Sequence, residues 1–206
     1  MKRLLLFLAI GFVFMSPFSA YADYIVDTGS GWEQFGVSVY NRSNGDVQFN
    51  AGQFTITQPN VISSLETWMY SSNPGSVEMV LYGDNGNLPD PSREFLRQSF
   101  SVMTSAQGPV TAWQGVSGLN LALDPGFYWI SLEKSTVADG FSVNLPSGAP
   151  DPLARYAYFD ENTGGNWVNY TGAQGFRVAG NVLPEPASML LFGVGAVAMA
   201  LFRRKT

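Results

Sequence analysis

Four side chains with oxygen donors stand close together in one short, glycine-containing stretch: Asp84, Asn85, Asn87 and Asp90. Calcium takes roughly six to eight hard oxygen ligands, and a short acidic loop can supply several of them. The stretch departs from the EF-hand pattern because Phe95, and not a glutamate, occupies the twelfth position. An Asx-rich hairpin turn, whose side chains bond to their own backbone, is the other interpretation. The pattern therefore predicts either a turn or a calcium site.

Carboxylates are the other groups in this chain with catalytic chemistry, because a glycosidase needs only two of them at a suitable distance. The candidate acids are Glu33, Glu66, Glu78, Glu94, Glu133 and Glu161. None of them belongs to a recognisable catalytic motif, and scattered acids in an acidic domain usually form a solvated surface. We predict a protein that is not an enzyme, with an exported carbohydrate-active hydrolase as the alternative.

The residue types that are missing exclude further classes of function. The sequence has no histidine and no cysteine, which removes Ser-His-Asp triads, thiol nucleophiles, zinc knuckles and disulfides. It has no nucleotide loop, dinucleotide fingerprint or haem motif, so no cofactor is expected apart from the calcium considered above. Residues 23–183 keep six basic side chains against fifteen acidic ones. Such an acidic body repels phosphate backbones, and we expect no binding to nucleic acid.

Five tryptophans could stack on the apolar faces of sugars if their rings are exposed. Trp68 and Trp129 lie inside predicted strands and are expected in the core. Trp32, Trp113 and Trp167 stand near glycine-rich loops and are the better candidates for exposure, but packing at the edge of the core is the favoured interpretation even for them.

The first 22 residues have the pattern of a signal peptide. Lys2 and Arg3 precede a run of twelve apolar residues, and Ala20-Tyr21-Ala22 fits a small-residue cleavage site. As a helix this run would span only about 18 Å, too short for a membrane anchor. The sequence predicts cleavage after Ala22, which makes Asp23 the first residue of an exported protein.

The last residues contain three features in order. Pro184-Glu185-Pro186 comes first, an uncharged apolar run follows over 187–202, and the basic residues Arg203, Arg204 and Lys205 flank that run. The two prolines hold the tripeptide extended. A helix over the run would span about 24 Å, which predicts a transmembrane helix with its basic end in the cytoplasm.

This arrangement resembles the PEP-CTERM sorting signal of Gram-negative bacteria. The resemblance implies recognition of the tail by an exosortase, which is a membrane-embedded protease or transpeptidase. It also implies transient anchoring in the inner membrane and delivery of the body to the cell envelope, cell surface or extracellular polysaccharide matrix. The alternative is a permanently tail-anchored single-pass membrane protein with an external binding domain.

Between the two ends, closely spaced turn signals separate short runs rich in β-branched and aromatic residues. About ten such runs predict an all-β fold, an antiparallel β-sandwich of the jelly-roll type, with a barrel as the alternative. Asp124-Pro125-Gly126-Phe127-Tyr128-Trp129 and a few other segments are similar to those of PEP-CTERM-tailed β-sandwich proteins. We divide the chain into a signal peptide (1–22), a β-sandwich (23–181) and a sorting tail (182–206). The expected role is structural or binding, with extracellular polysaccharide as a possible partner.

Overall fold

The computed structural model describes residues 23–33, 36–105, 108–160 and 164–183, and these ranges contain strands and connections but no helix. In chain order the strands are β1 (Asp23–Asp27), β2 (Gly36–Asn41), β3 (Val47–Ile56), β4 (Asn60–Met69), β5 (Ser76–Asp84), β6 (Pro89–Ser101), β7 (Thr104–Ser105), β8 (Gly108–Pro109), β9 (Ala112–Leu123), β10 (Gly126–Glu133), β11 (Val143–Pro146), β12 (Arg155–Asp160), β13 (Asn166–Tyr170) and β14 (Phe176–Val182). The described part therefore contains no helix that is long and apolar enough to cross a membrane. The predicted signal helix and transmembrane helix lie outside the described residues.

The larger of two main sheets has eight strands in antiparallel pairs. Its spatial order is β11-β2-β3-β10-β5-β6, with β12 paired to β3 and β13 paired to β12. Strand β10 lies between β3 and β5. Its segment 127–132 is apolar on both faces except for Ser131, and that pattern predicts a central strand. The prediction is confirmed.

The smaller sheet has four strands in the order β1-β14-β4-β9, again in antiparallel pairs. Residues alternate between its two faces, as they must in a strand. Phe176 and Val178 of β14 are fully buried, and Arg177 between them points to the outer face. The sheet therefore has one apolar face for the core and one mixed face for the surface.

One hydrophobic cluster joins the inner faces of both sheets. Leu65 and Met69 of β4 and Val178 of β14 belong to the same buried cluster as Met79 of β5 and Ile130 of β10. Burial of such side chains contributes about 1.5–3 kcal/mol each, which is the main source of stability in a chain without disulfides. The antiparallel all-β class predicted from the sequence is confirmed, and the two sheets form a sandwich-like body around this core.

A second, smaller cluster covers the outer face of the larger sheet. Trp129, Tyr82 and Trp167 surround Ala51 and Ala157, two small residues at the centre of the sheet. Trp129 is completely buried, as predicted. The packing of Trp167 at the edge of the core, which the sequence favoured over exposure, is confirmed, since only 9% of this residue is accessible. Its ring packs against Phe159 and Tyr82 because β13 pairs with β12 beside this cluster.

Both ends of the described chain lie at the same end of the body. Asp23 is paired with Gly180 across β1 and β14. Beyond β14 the Leu183 N–H donates to the Pro59 carbonyl at 2.8 Å. The last strand and this bond reach residues 182 and 183, so the folded body extends up to the residue before Pro184.

Candidate functional site

The stretch 84–90 forms the turn of the β5–β6 hairpin. Asn85 and Leu88 exchange backbone hydrogen bonds of 2.9 and 3.3 Å. Gly86 and Asn87 between them have φ values of 63° and 74°. Two consecutive residues with positive φ in a two-residue loop define a type I′ turn, which suits the twist of a hairpin.

The two carboxylates of this stretch are bonded within the protein. Asp84 Oδ1 accepts hydrogen bonds from Gln53 Nε2 at 2.7 Å and from Trp129 Nε1 at 2.8 Å. Asp90 Oδ1 accepts from both the N–H and the hydroxyl of Ser92. In the described ranges no group of three or more acidic residues is placed to hold a metal ion. The hairpin turn accounts for Asp84, Asn85, Asn87 and Asp90 in this geometry, and the calcium interpretation of these four residues stays untested.

Three of the six candidate glutamates come together on the outer face of the larger sheet, around Arg97. Arg97 Nη1 lies 2.7 Å from Glu78 Oε2 and 3.0 Å from Glu133 Oε2, and Nη2 lies 2.8 Å from Glu94 Oε2. The same Nη2 donates to the Tyr82 hydroxyl at 2.7 Å. The register of the strands explains this cluster. Glu78 of β5 is paired with Glu133 of β10, and Arg97 of β6 is paired with Val80, which lies two residues after Glu78 in β5.

The electrostatics of this Arg97 cluster are those of a partly buried ion-pair network. Burial raises the pKa of Glu133 above its ordinary value, although the charge of Arg97 and hydrogen bonds from Tyr82 and Ser131 oppose the increase. Burial also acts against the charge of Arg97, but its bonds to Glu94, Glu133 and Glu78 raise its pKa. Burial and the charge of Glu133 raise the pKa of Tyr82.

The Glu78 and Glu133 carboxylates lie close enough together to be compared with the catalytic pair of a glycosidase. Because Glu78 and Glu133 share one Arg97 nitrogen, their bonded oxygens lie at most about 6 Å apart, and this upper limit includes the separation of about 5 Å in retaining enzymes. However, the Glu133 side chain is only 6% accessible, and Arg97 occupies both carboxylates. A general acid must reach the glycosidic oxygen. This geometry favours a structural role for the cluster.

Two tryptophans form an aromatic surface on the outer face of the smaller sheet. Trp68 of β4 and Trp113 of β9 are directly paired, and their ring centroids are 5.5 Å apart. The Arg177 guanidinium lies 4.0 Å from the centroid of the Trp113 ring and forms an ion pair with Asp27 at 3.0 Å. We call Trp68, Trp113 and Arg177 the tryptophan face. It combines flat rings with charged hydrogen-bonding groups, the chemistry that sugars require.

The tryptophan face revises part of the sequence prediction. Trp68, expected in the core, is half-buried on this outer face, and Trp113 beside it is also half-buried. Trp32 is 78% exposed, so the favoured packing of this residue at the edge of the core is wrong and its exposure, the other interpretation, is correct. The indole N–H of Trp68 is buried and has no hydrogen-bond partner in the part of the chain that the structure describes. Sequence reasoning missed the pair because Trp68 and Trp113 are brought together only by the register of β4 and β9.

An open cleft of about 340 Å³ lies beside the β12–β13 hairpin, and its lining residues are Asn87, Ala154, Arg155, Tyr156, Asn169 and Tyr170. The two phenols are already engaged, since Tyr156 donates to the Gln174 carbonyl and Tyr170 donates to the Gln174 side chain. Burial raises the pKa of Tyr156 to about 12, so it stays protonated at neutral pH. The cleft thus offers a guanidinium and two amides to a ligand.

The remaining predicted site residues lie outside the described ranges. They are Ala22 of the cleavage site, the tripeptide Pro184, Glu185 and Pro186, and the basic residues Arg203, Arg204 and Lys205. Asp23, the other cleavage-site residue, begins β1. Glu161 is also outside the described ranges, whereas Glu33 and Glu66 lie away from the Arg97 cluster.

Comparison with known protein families identifies the segment that follows the last strand. The family model for the PEP-CTERM protein-sorting motif matches residues 182–205. The chain carries a PEP-CTERM sorting motif. This motif implies export, a membrane-anchored sorting step and processing by an exosortase. No curated protein and no solved structure matches the chain, so the PEP-CTERM motif identifies a route of sorting and the body must be interpreted from its own geometry.

Proposed function

We propose that this PEP-CTERM protein is a structural or binding component of the cell envelope, cell surface or extracellular polysaccharide matrix of a Gram-negative bacterium, and that it is not an enzyme. A signal peptide directs its export, and an exosortase then removes or exchanges the tail. Its body is a β-sandwich of the jelly-roll type. The observation that carries this proposal is the match of residues 182–205 to the sorting motif, directly after a fully β body.

The contacts of the acidic side chains support a non-enzymatic body. Glu78, Glu94 and Glu133 are all bonded to Arg97, and Asp84 is bonded to Gln53 and Trp129. Carboxylates that are paired in this way have little freedom to reach a substrate and transfer a proton to it. The spacing of Glu78 and Glu133 is the one observation that favours the alternative, an exported carbohydrate-active hydrolase.

The tryptophan face supports a polysaccharide as the partner. The Trp68 and Trp113 rings are tilted by 58° to each other and Arg177 lies over the Trp113 ring, so the two half-buried rings, Arg177 and Asp27 together form a mixed apolar and charged surface that suits the rings and hydroxyls of sugars. The body is acidic, so a neutral glycan suits it better than a polyanionic one.

Intact mass of the protein from its native host, combined with cell fractionation, tests the sorting function. The chain offers a matched pair of variants, because Pro150-Asp151-Pro152 in the body has the same pattern as Pro184-Glu185-Pro186. We expect the wild type and Asp151→Ala to lack residues 1–22 and the tail from about residue 184 onward, by the processing pattern of such signals. We expect Glu185→Ala to retain Thr206 and to stay in the inner membrane.

Two outcomes would contradict the proposal. A wild-type mass that includes Thr206, with all of the protein in the inner membrane, would indicate a permanent tail-anchored protein. Hydrolysis of a polysaccharide by the purified protein, lost in Glu133→Gln, would indicate the hydrolase.

A further inference from the structure

A very short stretch of chain joins the body to the apolar part of the tail. Leu183 is held to the body by the bond from its N–H to the Pro59 carbonyl, and the uncharged run begins at residue 187. Four residues of fully extended chain span at most about 14 Å. The headgroup region on one side of a bilayer is roughly 5–8 Å thick. When the run is in the membrane, this end of the body must therefore lie close to the lipid surface.

The same end of the body exposes three large apolar side chains, Phe127, Val182 and Leu183, which we call the apolar end. Their exposed fractions are 56%, 55% and 39%. Register places them at one end of the body but not on one sheet, since Val182 belongs to the smaller sheet whereas Phe127 shares the outer face of the larger sheet with Trp129. Val182 is paired with Asn60 at the start of β4, and Phe127 is paired with Thr55 near the end of β3. Only the short β3–β4 connection separates these two positions.

The charges near the apolar end indicate which surface suits it. Asp23 is paired with Gly180 close to Val182, and Asp124 precedes β10 close to Phe127. Acidic groups are not attracted by anionic lipids, so electrostatic docking is unfavourable here. Aromatic and aliphatic side chains instead partition into the boundary between headgroups and acyl chains, and this contribution does not need lipid charge.

We propose that the apolar end rests on the membrane surface while the tail is inserted, with Phe127, Val182 and Leu183 among the lipid headgroups. The inference rests on the proposed sorting function, because insertion of the tail brings this end to the membrane. Docking in this orientation holds residues 184–186 at the interface, where a membrane-embedded protease can reach them.

The absence of cysteine from the chain allows single fluorescent labels to test this contact. Full-length protein is reconstituted into phosphatidylcholine vesicles with an environment-sensitive fluorophore on one introduced cysteine. Phe127→Cys and Val182→Cys report on the apolar end. Met103→Cys and Val137→Cys are matched controls, because these residues are 51% and 54% exposed and follow the opposite ends of β6 and β10. Ser188→Cys reports on the tail.

Lipids with a spin label in the headgroup region quench fluorophores at the interface, and lipids with a label deep in the acyl chain quench fluorophores in the bilayer. We expect headgroup labels to quench positions 127 and 182 several-fold more than positions 103 and 137, and deep labels to quench position 188. Equal quenching at all four body positions, with position 188 quenched, would overturn the contact between the apolar end and lipid but not the insertion of the tail. The apolar end would then be a surface for a protein partner. A tail label that is not quenched would overturn membrane insertion, and with it both this inference and the proposed sorting function.

Discussion

Asp23 lies opposite Gly180 in the antiparallel pair of β1 and β14. The first residue after the predicted signal cleavage site is therefore placed beside the last strand before the sorting motif. Because the strands are antiparallel, the chain enters and leaves the body at the same end. The predicted cleavage site and the sorting motif therefore adjoin the same end of the body, and strand β14 connects the sorting motif to the centre of the smaller sheet, between β1 and β4.

The close packing at Gly180 predicts a strong effect of a small substitution. A Cβ at this position would lie 2.8 Å from the Val61 carbonyl oxygen and 2.8 Å from Ile25. We expect Gly180→Ala to lower the free energy of unfolding by about 2 kcal/mol, because a backbone atom cannot move aside easily. Gly126→Ala is the control, since its nearest neighbours are ordinary contacts at 3.5 Å or more with Tyr128. Urea denaturation of both variants measures the difference, and equal losses would contradict the packing argument.

Removal of Arg97 should destabilise the protein far more than removal of an exposed arginine. In Arg97→Met, the buried Glu133 loses its cation and faces Glu78 across the sheet. Since Arg97 is about one-third exposed, we expect a loss of about 2 kcal/mol, below the usual cost of breaking a fully buried pair. Arg42→Met is the control, because Arg42 pairs with Asp46 at 3.5 Å on the surface. This substitution should lower the free energy of unfolding by less than about 0.5 kcal/mol. Similar urea midpoints for the two variants would show that the network contributes nothing.

The raised pKa of Glu133 predicts how stability depends on pH. Between the ordinary pKa of the unfolded carboxyl and the higher pKa of the folded one, the native state binds more protons than the unfolded state. The free energy of unfolding therefore falls as pH rises through this interval, and the loss is complete above the folded pKa. The Glu133→Gln variant has no carboxyl to ionise at this position, so its free energy of unfolding does not fall for this reason. We expect the stability of Glu133→Gln relative to the wild type to increase between pH 4 and neutral pH, as measured by urea denaturation at each pH. Parallel pH profiles would contradict the assigned shift.

The strands that the sequence predicts correctly are those whose residue pattern matches their position in the sheet. Segment 127–132 is apolar on both faces, and β10 is central in the larger sheet. Asn44-Gly45 predicts the turn between β2 and β3, where Gly45 has a φ of 95°. In these elements, local preference and tertiary position agree, so single-sequence reasoning succeeds.

Elements defined by distant neighbours are missed. The sequence predicts separate strands over 46–50 and 52–58, but the single strand β3 covers most of both because it is paired with β10 and β12 on its two sides around Ala51. Glycine is needed at position 52, since a Cβ there would lie 2.5 Å from the Leu153 side chain and would crowd the ring of Phe176. Strand β13 has two asparagines that mask its strand pattern. The Arg97 cluster has no local signature, since strand register alone brings Glu78 and Glu133 to the same guanidinium.

The β5–β6 turn provides a test of the calcium interpretation. Asp84 accepts bonds from Gln53, Trp129 and the Asn87 N–H, whereas Asp90 bonds only to Ser92 among the residues of the described part. We expect Asp84→Ala to cost about 2 kcal/mol, because buried donors lose a charged acceptor, and Asp90→Ala to cost much less. Since the carboxylates of Asp84 and Asp90 already accept hydrogen bonds within the protein, we expect millimolar calcium to leave the Tm of the wild type unchanged. A rise in Tm with calcium that Asp84→Ala abolishes would establish a metal site.

The tryptophan face predicts which ring contributes most to glycan binding. Trp113 contacts both Trp68 and Arg177, whereas Trp32 is exposed in a connection far from that pair in the sequence. A pair of stacked aromatic rings contributes about 0.5–1.5 kcal/mol, and we take the same range for a sugar on one ring. We therefore expect Trp113→Ala to weaken binding to the matrix polysaccharide of the host about three- to ten-fold, and Trp32→Ala to leave it unchanged. Tryptophan fluorescence titration measures both affinities.

Trp113→Phe separates a loss of stacking from a loss of folding, because it keeps a ring at the position where β9 pairs with β4. We expect this variant to retain most of the affinity and to unfold at nearly the wild-type temperature. Binding that is lost in Trp32→Ala and kept in Trp113→Ala would move the glycan site away from the smaller sheet. If polysaccharide left the fluorescence of the wild type unchanged, the partner of the body would have to be sought among other components of the envelope, because the sorting motif specifies a destination and no ligand.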